Sequence, residues 1–381
     1  MRKALLLASA LLLPTLTTRA DIVISSNDAH TVLVNGAGSP AQNPPPDSIS
    51  VIDVKSDPPK VIATINVPGS VAGPPMAVAI AADESWAVVT AANKLDPAAQ
   101  GGLSLDNKVT VIDLKTNPPQ IVQNLTAGTG GDVVRFTPDE KLALIVNRGA
   151  GTISIFTIKD KRLEPAGILD TGNPKSGPSG LVILPDGKRA LLTRDGDHMI
   201  SVLNINGTQV TIDPRPITSG LAPYTMDINK AGTLAAVGNM GRGNGDFDTV
   251  QLIDLTTTPF RVVFSTAVAP SPEGVKFSPD GRFLAIGSQN GSNKAEGFPF
   301  RSAQGLLTIF AVEGTSLRKV TQAPIGAWPQ GIAFSRDGRT VLAQSMSERA
   351  IDVFRFDGRS LTKGASIKVN GGAASFGQPW R

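Results

Sequence analysis

The ten residues SPDGRFLAIG (278–287) combine a tight turn with the start of a β-strand. Pro279 presets the first backbone angle of a turn, Asp280 can accept hydrogen bonds from the backbone that follows it, and Gly281 supplies a positive φ. The apolar run that comes next is typical of a turn between two antiparallel strands. Similar turns recur in the sequence at SRDG (335–338), LPDG (184–187) and TPDE (137–140), with weaker copies at AADE (81–84), SNDA (26–29) and NKAG (229–232).

These seven turns divide the chain into repeats of 45 to 57 residues, close to the length of one β-propeller blade. Each repeat contains four short runs of strand-like alternation, and no helical periodicity follows residue 20. A ring of such units buries both faces of every sheet. The sequence therefore predicts an all-β fold, a seven-bladed β-propeller of four-stranded antiparallel blades. Its innermost strands are expected near residues 21–26, 76–81, 132–137, 179–184, 224–229, 273–278 and 330–335.

The first 20 residues are predicted to be a secretory signal peptide. They begin with the charged MRK, continue with an apolar stretch, and end with the small residues Thr18 and Ala20 at the −3 and −1 positions of a cleavage site. A membrane anchor is the alternative, but the apolar stretch is too short to cross a hydrocarbon core of ~30 Å. We therefore expect a periplasmic or secreted protein, with residues 21–381 forming one propeller domain and no stable membrane insertion after the leader is removed.

Charge and cysteine content restrict the function classes. The 381-residue chain has 36 Lys and Arg against 32 Asp and Glu, and three of the basic residues lie in the leader. The remainder is nearly neutral and has no long basic cluster, so we expect no binding to nucleic acid, which requires a basic surface. The chain contains no Cys. An exported protein of this composition must be stabilised by its core rather than by disulfides.

Strand motifs add a family resemblance. Residues 49–53 (ISVID) and 109–113 (VTVID), together with Asn35, Asn147 and Asn239 at the ends of predicted second strands, resemble the YVTN-repeat seven-bladed propellers. The stretches SPDGRFLAIGSQNG and GLLTIFAVEG are similar to lactonase-like propellers. The resemblance covers about residues 21–370. It implies the propeller fold, in families that include lactone hydrolases, muconate cyclases and non-catalytic exported proteins, and a fold alone does not define a chemistry.

Loop lengths indicate which face carries the site. The turns between first and second strands are uniformly tight, whereas some loops between second and third strands are long. In a propeller the latter share one face, which we call the top face, with the connections between blades, and binding residues concentrate on such loops. Blades 3 and 4 have short loops at 148–151 and 194–197, so we expect a cleft over them. The long loops are at 36–47, 93–108, 239–248 and 289–304.

Alignment of the repeats gives the residues that should face the central channel. The residue entering each first strand is mostly polar, and the low rim of blades 3 and 4 adds charged side chains. An Arg pair could hold a carboxylate or polarise a lactone while Glu or His moves a proton. We predict Glu273 and His198 as catalytic candidates, with His30 on the opposite face. The predicted ligand-binding residues are Asp132, Arg148, Ser179, Arg194, Tyr224 and Gln330; Met76 completes the aligned set, and Asp195 is a further residue of the low rim.

Two functions remain open at this point. The first is a monomeric, non-catalytic propeller that binds a small organic ligand or a periplasmic protein partner on its top face. The alternative is a lactonase- or cyclase-type enzyme acting on a lactone or organic acid at the channel mouth, using Glu273, Arg148, Arg194 and His198. We expect no cofactor and no metal. Residues 244–248 (NGDFD) alternate oxygen donors as a calcium loop does, but lack the closing Glu.

Overall fold

Seven antiparallel sheets form the blades of a propeller in the structure, a computed structural model that describes residues 21–379. The predicted signal peptide lies outside the described residues. The innermost strands of neighbouring blades contact one another around the ring. Within the described residues the only helical element is a single 3₁₀ turn, Pro174–Ser176. The predicted all-β, seven-bladed fold is confirmed.

Each blade has four strand positions between the central channel and the outer edge of the ring. From the channel outward, blade 1 contains β32 (Gly372–Gly377), β1 (Ile22–Asp28), β4 (Ser48–Asp53) and β5 (Lys60–Asn66). Blade 2 contains, in the same order, β6 (Val78–Ile80), β7 (Trp86–Leu95), β8 (Leu103–Asp113) and β9 (Gln120–Thr126). Blade 3 contains β10 (Gly131–Phe136), β11 (Leu142–Asn147), β12 (Thr152–Lys159) and β13 (Arg162–Asp170). Blade 4 contains β14 (Pro178–Ile183), β15 (Arg189–Arg194), β16 (Met199–Asn206) and an outer strand in two pieces, β17 (Gln209–Ile212) and β18 (Ile217–Thr218).

The other three blades follow the same plan. Blade 5 contains β19 (Pro223–Ile228), β20 (Leu234–Asn239), β21 (Asp248–Asp254) and β22 (Arg261–Val268). Blade 6 contains β23 (Pro272–Phe277), β24 (Phe283–Ser288), β25 (Gly305–Glu313) and β26 (Ser316–Ile325). Blade 7 contains β27 (Pro329–Phe334), β28 (Thr340–Ser345), β29 (Ala350–Phe356) and an outer strand in two pieces, β30 (Leu361–Lys363) and β31 (Ile367–Lys368). A separate hairpin, β2 (Thr31–Val34) and β3 (Ala37–Pro40), lies between β1 and β4.

Ring closure differs from the sequence prediction. Six of the predicted innermost strands are confirmed within two residues, but residues 21–26 belong to the second strand of blade 1. The innermost strand there is β32, from the C-terminal end, which pairs antiparallel with β1 through Ser25↔Phe376 and Asn27↔Ala373. The chain thus closes its ring by pairing its two ends within one sheet, which covers the inner edge of β1.

The misassigned turn at residues 26–29 has a local cause. Asp28 accepts hydrogen bonds from the backbone nitrogens of His30 and Thr31 at 2.9 and 2.8 Å, the same Asp-to-backbone pattern that marks the other turns. Because β1 is a second strand, this turn lies on the top face. The prediction that His30 lies on the opposite face is therefore wrong.

An asparagine does end several second strands, as the sequence motif indicates. In β11 and β20, Asn147 and Asn239 donate to hydroxyls of the third strand, at 2.9 Å in each case. Asn35 is instead in the turn between β2 and β3, and the corresponding residue of blade 1 is Asn27, which donates to Ser48 and Ser50 of β4 at 3.2 and 3.1 Å. These side chains tie second strands to third strands at the top face.

The turn that identified the repeat forms as expected. Asp280 accepts from the Ser278 hydroxyl at 2.6 Å and from the Arg282 backbone nitrogen at 3.1 Å. Gly281 has a φ of 72°, in the left-handed region. Asp337 repeats the pattern with Ser335 at 2.6 Å. Local hydrogen bonds alone therefore specify these reversals.

The core lies between adjacent blades. Every residue of β11 is buried, and Trp86 of blade 2 stacks on Phe136 of blade 3 with ring centroids 4.7 Å apart. Side chains of blades 2 and 3 share one apolar cluster that includes Val88 and Ile145. Burial on both faces holds the ring together through the hydrophobic effect. Residues 21–379 contain no helix of the length and apolarity that crossing a membrane would require.

Top-face loops form a continuous wall on one side of the ring. A β-carbon on Gly36, in the β2–β3 hairpin, would lie 2.7 Å from the backbone nitrogen of Ala295, so the blade 1 loop touches the blade 6 loop. A β-carbon on Gly102, in the blade 2 loop, would lie 2.8 Å from the Cγ of Pro40, so the blade 2 loop touches the blade 1 loop. The connections at 148–151 and 195–198 are short turns. The low side of the rim therefore lies over blades 3 and 4, as the loop lengths predict.

Candidate functional site

Bulges at the start of the innermost strands place the central polar residues. In β10, Gly131 pairs with Asn147 and Val133 with Val146, which leaves Asp132 as an extra residue. In β23 the pairs at residues 272 and 274 leave Glu273 unpaired in the same way. A β-bulge re-aims a side chain and is common beside active sites. The fold thus turns these two carboxyl groups out of the regular ladder at the top of the channel.

Strained residues precede three of these strands. Ala222, Ser271 and Trp328 have φ values of 54°, 57° and 52°, and each directly precedes the proline that opens an innermost strand. The left-handed region costs a non-glycine residue roughly 1–2 kcal/mol, and such strain clusters at functional sites.

A side chain from the preceding blade holds each of these backbones. His198 Nδ1 accepts from the Ala222 nitrogen at 3.1 Å. Asp248 accepts from the Ser271 nitrogen at 2.7 Å, and Ser292 accepts from the Trp328 nitrogen at 3.0 Å. His198 therefore fixes the segment that leads to Tyr224, whereas Asp248, the last residue of the calcium-like sequence, supports the segment that leads to Glu273.

Arg148 is the centre of the polar cluster. It follows β11, and its Nη2 donates to Asp195 at 2.6 Å. Its Nη1 donates to the Ser179 hydroxyl and, at 3.4 Å, to the carbonyl oxygen of Gly177. Its guanidinium carbon lies 5.7 Å from the ring centroid of Tyr224, a cation–π distance. With 34% of its side chain exposed, Arg148 connects the buried residues to the low rim.

Glu273 is buried beside this cluster. Gln289 Nε2 donates to Glu273 Oε2 at 2.6 Å. Burial raises the pKa of Glu273 from 4.5 to about 8, although the Gln289 hydrogen bond and the charge of Arg148 act in the opposite direction. A carboxyl group with such a pKa exchanges its proton near neutral pH, as acid–base catalysis requires.

Asp132 is a second buried carboxyl group, only 1% exposed. Neither of its oxygens has a hydrogen-bond partner on another residue within the described chain. Burial raises its pKa well above the usual range, while the charge of Arg148 lowers it. Burial, followed by the charge of Glu273, likewise raises the pKa of Tyr224. Buried polar groups without partners are rare and mark places where a ligand or water can bind.

The structure brings most of the predicted residues together, but not all of them. Arg194 pairs with Asp197 at 2.6 Å and also donates to Ser201, both within its own blade. Gln330 is 1% exposed at the corresponding position of β27, and Met76 is 3% exposed just before β6. The residues linked to Arg148 by contact or charge are Asp132, Ser179, Asp195, Tyr224 and Glu273.

One residue of the cluster was missed by the sequence reasoning. Gln289 directly follows the second strand β24, at the position in blade 6 that Arg148 occupies in blade 3. The available signal was this shared position, because polar residues at the ends of second strands reach toward the channel at the top face. Its buried amide oxygen has no partner among the described residues.

Comparisons with known proteins agree with this architecture. The family model described as lactonase, 7-bladed beta-propeller, matches residues 41–307 and 233–372. A candidate 6-phosphogluconolactonase from Bacteroides fragilis is 17% identical, with a TM-score of 0.72 and coverage of 95% of this chain and 99% of that one. A periplasmic gluconolactonase from Pseudomonas aeruginosa is 16% identical, with a TM-score of 0.65 and coverage of 93% and 97%.

Other comparisons limit what these similarities show. Hydrazine synthase from Kuenenia stuttgartiensis is 19% identical, with a TM-score of 0.62 and coverage of 82% of this chain and 91% of that one. Structural likeness at such identity shows the fold alone. No curated protein sequence matches the chain. The family model spans most of the sequence, and its match shows that the chain belongs to the lactonase family of seven-bladed β-propellers.

Proposed function

We propose that this protein hydrolyses a lactone at the polar cluster around Arg148. The observation that carries the proposal is the pair of buried carboxyl groups, Asp132 and Glu273, whose pKa values burial raises beside one guanidinium. Acid–base chemistry near neutral pH needs such groups. Family membership favours this enzymatic interpretation over a non-catalytic binding role.

The residues suggest a division of roles in ester hydrolysis. Ionised Glu273 removes a proton from water as the water oxygen bonds to the lactone carbonyl carbon. Arg148 stabilises the negative charge that develops on the carbonyl oxygen. The ring C–O bond then breaks, and the leaving oxygen takes a proton from neutral Asp132. The product is a hydroxy acid, and Asp132 regains its proton from the protonated Glu273 through solvent.

The charge balance of the cluster favours an uncharged lactone. Arg148 already pairs with Asp195 at 2.6 Å, and Arg194 already pairs with Asp197 at 2.6 Å. One carboxylate thus already offsets the charge of each guanidinium, which weakens the attraction of the site for a doubly charged phosphate group. We propose an unphosphorylated sugar lactone as the substrate class, in agreement with the similarity in fold to the gluconolactonase of Pseudomonas aeruginosa.

The proposed location follows from the leader sequence. Residues 1–20 have the pattern of a signal peptide, and the gluconolactonase of Pseudomonas aeruginosa that shares the fold is periplasmic. We propose that the protein acts in the periplasm or outside the cell. Signal-peptide removal would be tested by determining the N-terminal residue of protein recovered from a periplasmic extract.

The test of function is hydrolysis of glucono-1,5-lactone, followed by acid release at constant pH. Glu273→Gln should lower turnover by about 10² to 10⁴, the usual contribution of a general base. Glu296→Gln, an exposed change in the 289–304 loop, is the matched control and should retain wild-type turnover. Hydrolysis of the 6-phosphorylated lactone in preference to the neutral one would contradict the substrate class. Binding of lactones without hydrolysis would instead support the non-catalytic propeller.

A further inference from the structure

A cavity occupies the lower half of the central channel. Its volume is about 160 Å³, and it is lined by the innermost strands of all seven blades and by Pro138 and Pro279 of the turns between first and second strands. Those turns lie on the face opposite the top loops. The cavity therefore opens away from the Arg148 cluster.

A buried layer separates the two ends of the channel. Asp132, Ser179, Glu273 and Gln330 are each at most 4% exposed at the upper ends of their strands. Arg135 and Lys276 come three residues after Asp132 and Glu273, which places them about 10 Å further down the strands at ~3.3 Å per residue. The lower cavity is thus a distinct site on the same strands.

Positive charge exceeds negative charge around this cavity. Arg135, Lys230 and Lys276 line it together with a single carboxylate, Asp227. Lys276 Nζ lies 3.2 Å from Asp227, whose other oxygen accepts from the Phe277 nitrogen at 2.8 Å. Asp227 therefore offsets one of the cations, and the other two leave an excess of positive charge.

Arg135 uses only one of its guanidinium nitrogens in hydrogen bonds within the described residues. Its Nη1 donates to the carbonyl oxygens of Met76 and Val134 at 3.1 and 2.7 Å. Within residues 21–379 the guanidinium has no bonded carboxylate, and its other N–H groups have no partner. Burial lowers the pKa of Arg135 only to about 10, so the group stays charged at neutral pH. Arg135 is only half-buried, so these N–H groups can reach the cavity, where a bound anion would accept charge-assisted hydrogen bonds from them.

The remaining wall of the cavity is mostly apolar. This wall includes Phe136, Phe277, Phe334 and Phe376. The cavity volume is smaller than the ~300–1,000 Å³ that is usual for sites of drug-sized ligands. We propose that this cavity binds a small organic carboxylate, whose apolar body contacts the phenylalanines and whose charged end meets Arg135 and Lys276. The site is independent of the proposed lactone hydrolysis.

Benzoate is a suitable probe, because it joins one carboxylate to one apolar ring. Calorimetric titration of the full chain should give one benzoate site. Benzamide, which has the same ring without the charge, should bind at least tenfold more weakly, because charge-assisted hydrogen bonds are the stronger ones. Equal affinities for benzoate and benzamide, or no benzoate binding, would overturn the proposal.

Variants then locate the site. Arg135→Met should weaken benzoate binding at least tenfold, whereas Arg148→Met, at the other end of the channel, should leave it unchanged. Lys276→Met provides a second variant if Arg135→Met does not fold, and it should also weaken binding. Loss of benzoate binding in Arg148→Met alone would place the anion at the top cluster and refute the proposal. Arg135→Met should keep wild-type lactone hydrolysis, so failure of one proposal is distinguishable from failure of the other.

Discussion

Glu273→Gln should remove a large pH dependence from the stability of the propeller. The folded-state pKa of Glu273 is raised from 4.5 to about 8, because burial disfavours the charged form. A raised pKa contributes stability that is fully present below the unfolded value and is lost as the pH rises through the folded value. At 1.36 kcal/mol per unit, the wild type loses about 5 kcal/mol of unfolding free energy from this group between pH 4.5 and a pH above 8. Glutamine cannot ionise and has nearly the same shape, so the variant should not show this loss.

The assay is urea unfolding of both proteins at about pH 5 and about pH 9, followed by circular dichroism. Near pH 5 the unfolding free energies of the wild type and of Glu273→Gln should be similar. Near pH 9 the variant should be the more stable protein by several kcal/mol. Other buried groups, such as Asp132 and His30, are present in both proteins and cancel in the difference. If wild type and variant lose stability in parallel as the pH rises, Glu273 is not a buried, proton-binding group. Glu296→Gln, which changes an exposed carboxylate, should follow the wild type.

Three further predictions concern the scaffold. His30 bonds Asp47 at 2.9 Å, and its pKa is raised to about 9 from 6.5, so His30→Gln should cost about 3 kcal/mol below pH 6.5, progressively less between pH 6.5 and pH 9, and little above pH 9; a loss that does not change with pH in urea unfolding would refute this. Asn147→Ala removes the hydrogen bonds of this amide with Thr152, Ser154 and the Gly128 nitrogen and should lower the unfolding free energy by about 2–4 kcal/mol, whereas Asn244→Ala, on an exposed loop, should have little effect. A chain ending at Asn370 lacks β32 and should lose its cooperative thermal transition, because β1 would expose a buried edge; an unchanged melting temperature would contradict this closure of the ring.

The blade pattern could be predicted because its determinants are local. Asp280 and Asp337 bond residues only two positions away, so each turn can be recognised from four letters. The closing strand could not be predicted, since β32 pairs with β1 across more than 340 residues. Asp28 forms a similar local turn on the top face, and this likeness led to the wrong innermost strand in blade 1.

The candidate site, too, could be predicted only where local sequence determines it. Aligning the repeats predicts Asp132, Tyr224 and Glu273, because each blade places one residue at the same point above the channel. Sequence alone did not predict that Asp195 would pair with Arg148, since this contact joins the ends of second strands in different blades. The role of His198 was also hidden, because it bonds the backbone of Ala222 in the connection to the next blade.

The most direct test of lactone hydrolysis at Glu273 is the pH dependence of kcat/KM for glucono-1,5-lactone, corrected for the uncatalysed rate. This ratio reports the ionisation of groups in the free enzyme. If ionised Glu273 is the base, kcat/KM should rise about tenfold per pH unit below its pKa and level off near pH 8. Glu273→Gln should abolish this rise. A wild-type profile that is flat between about pH 6 and pH 9, or a rise that persists in Glu273→Gln, would contradict the assignment of lactone hydrolysis to this buried carboxylate.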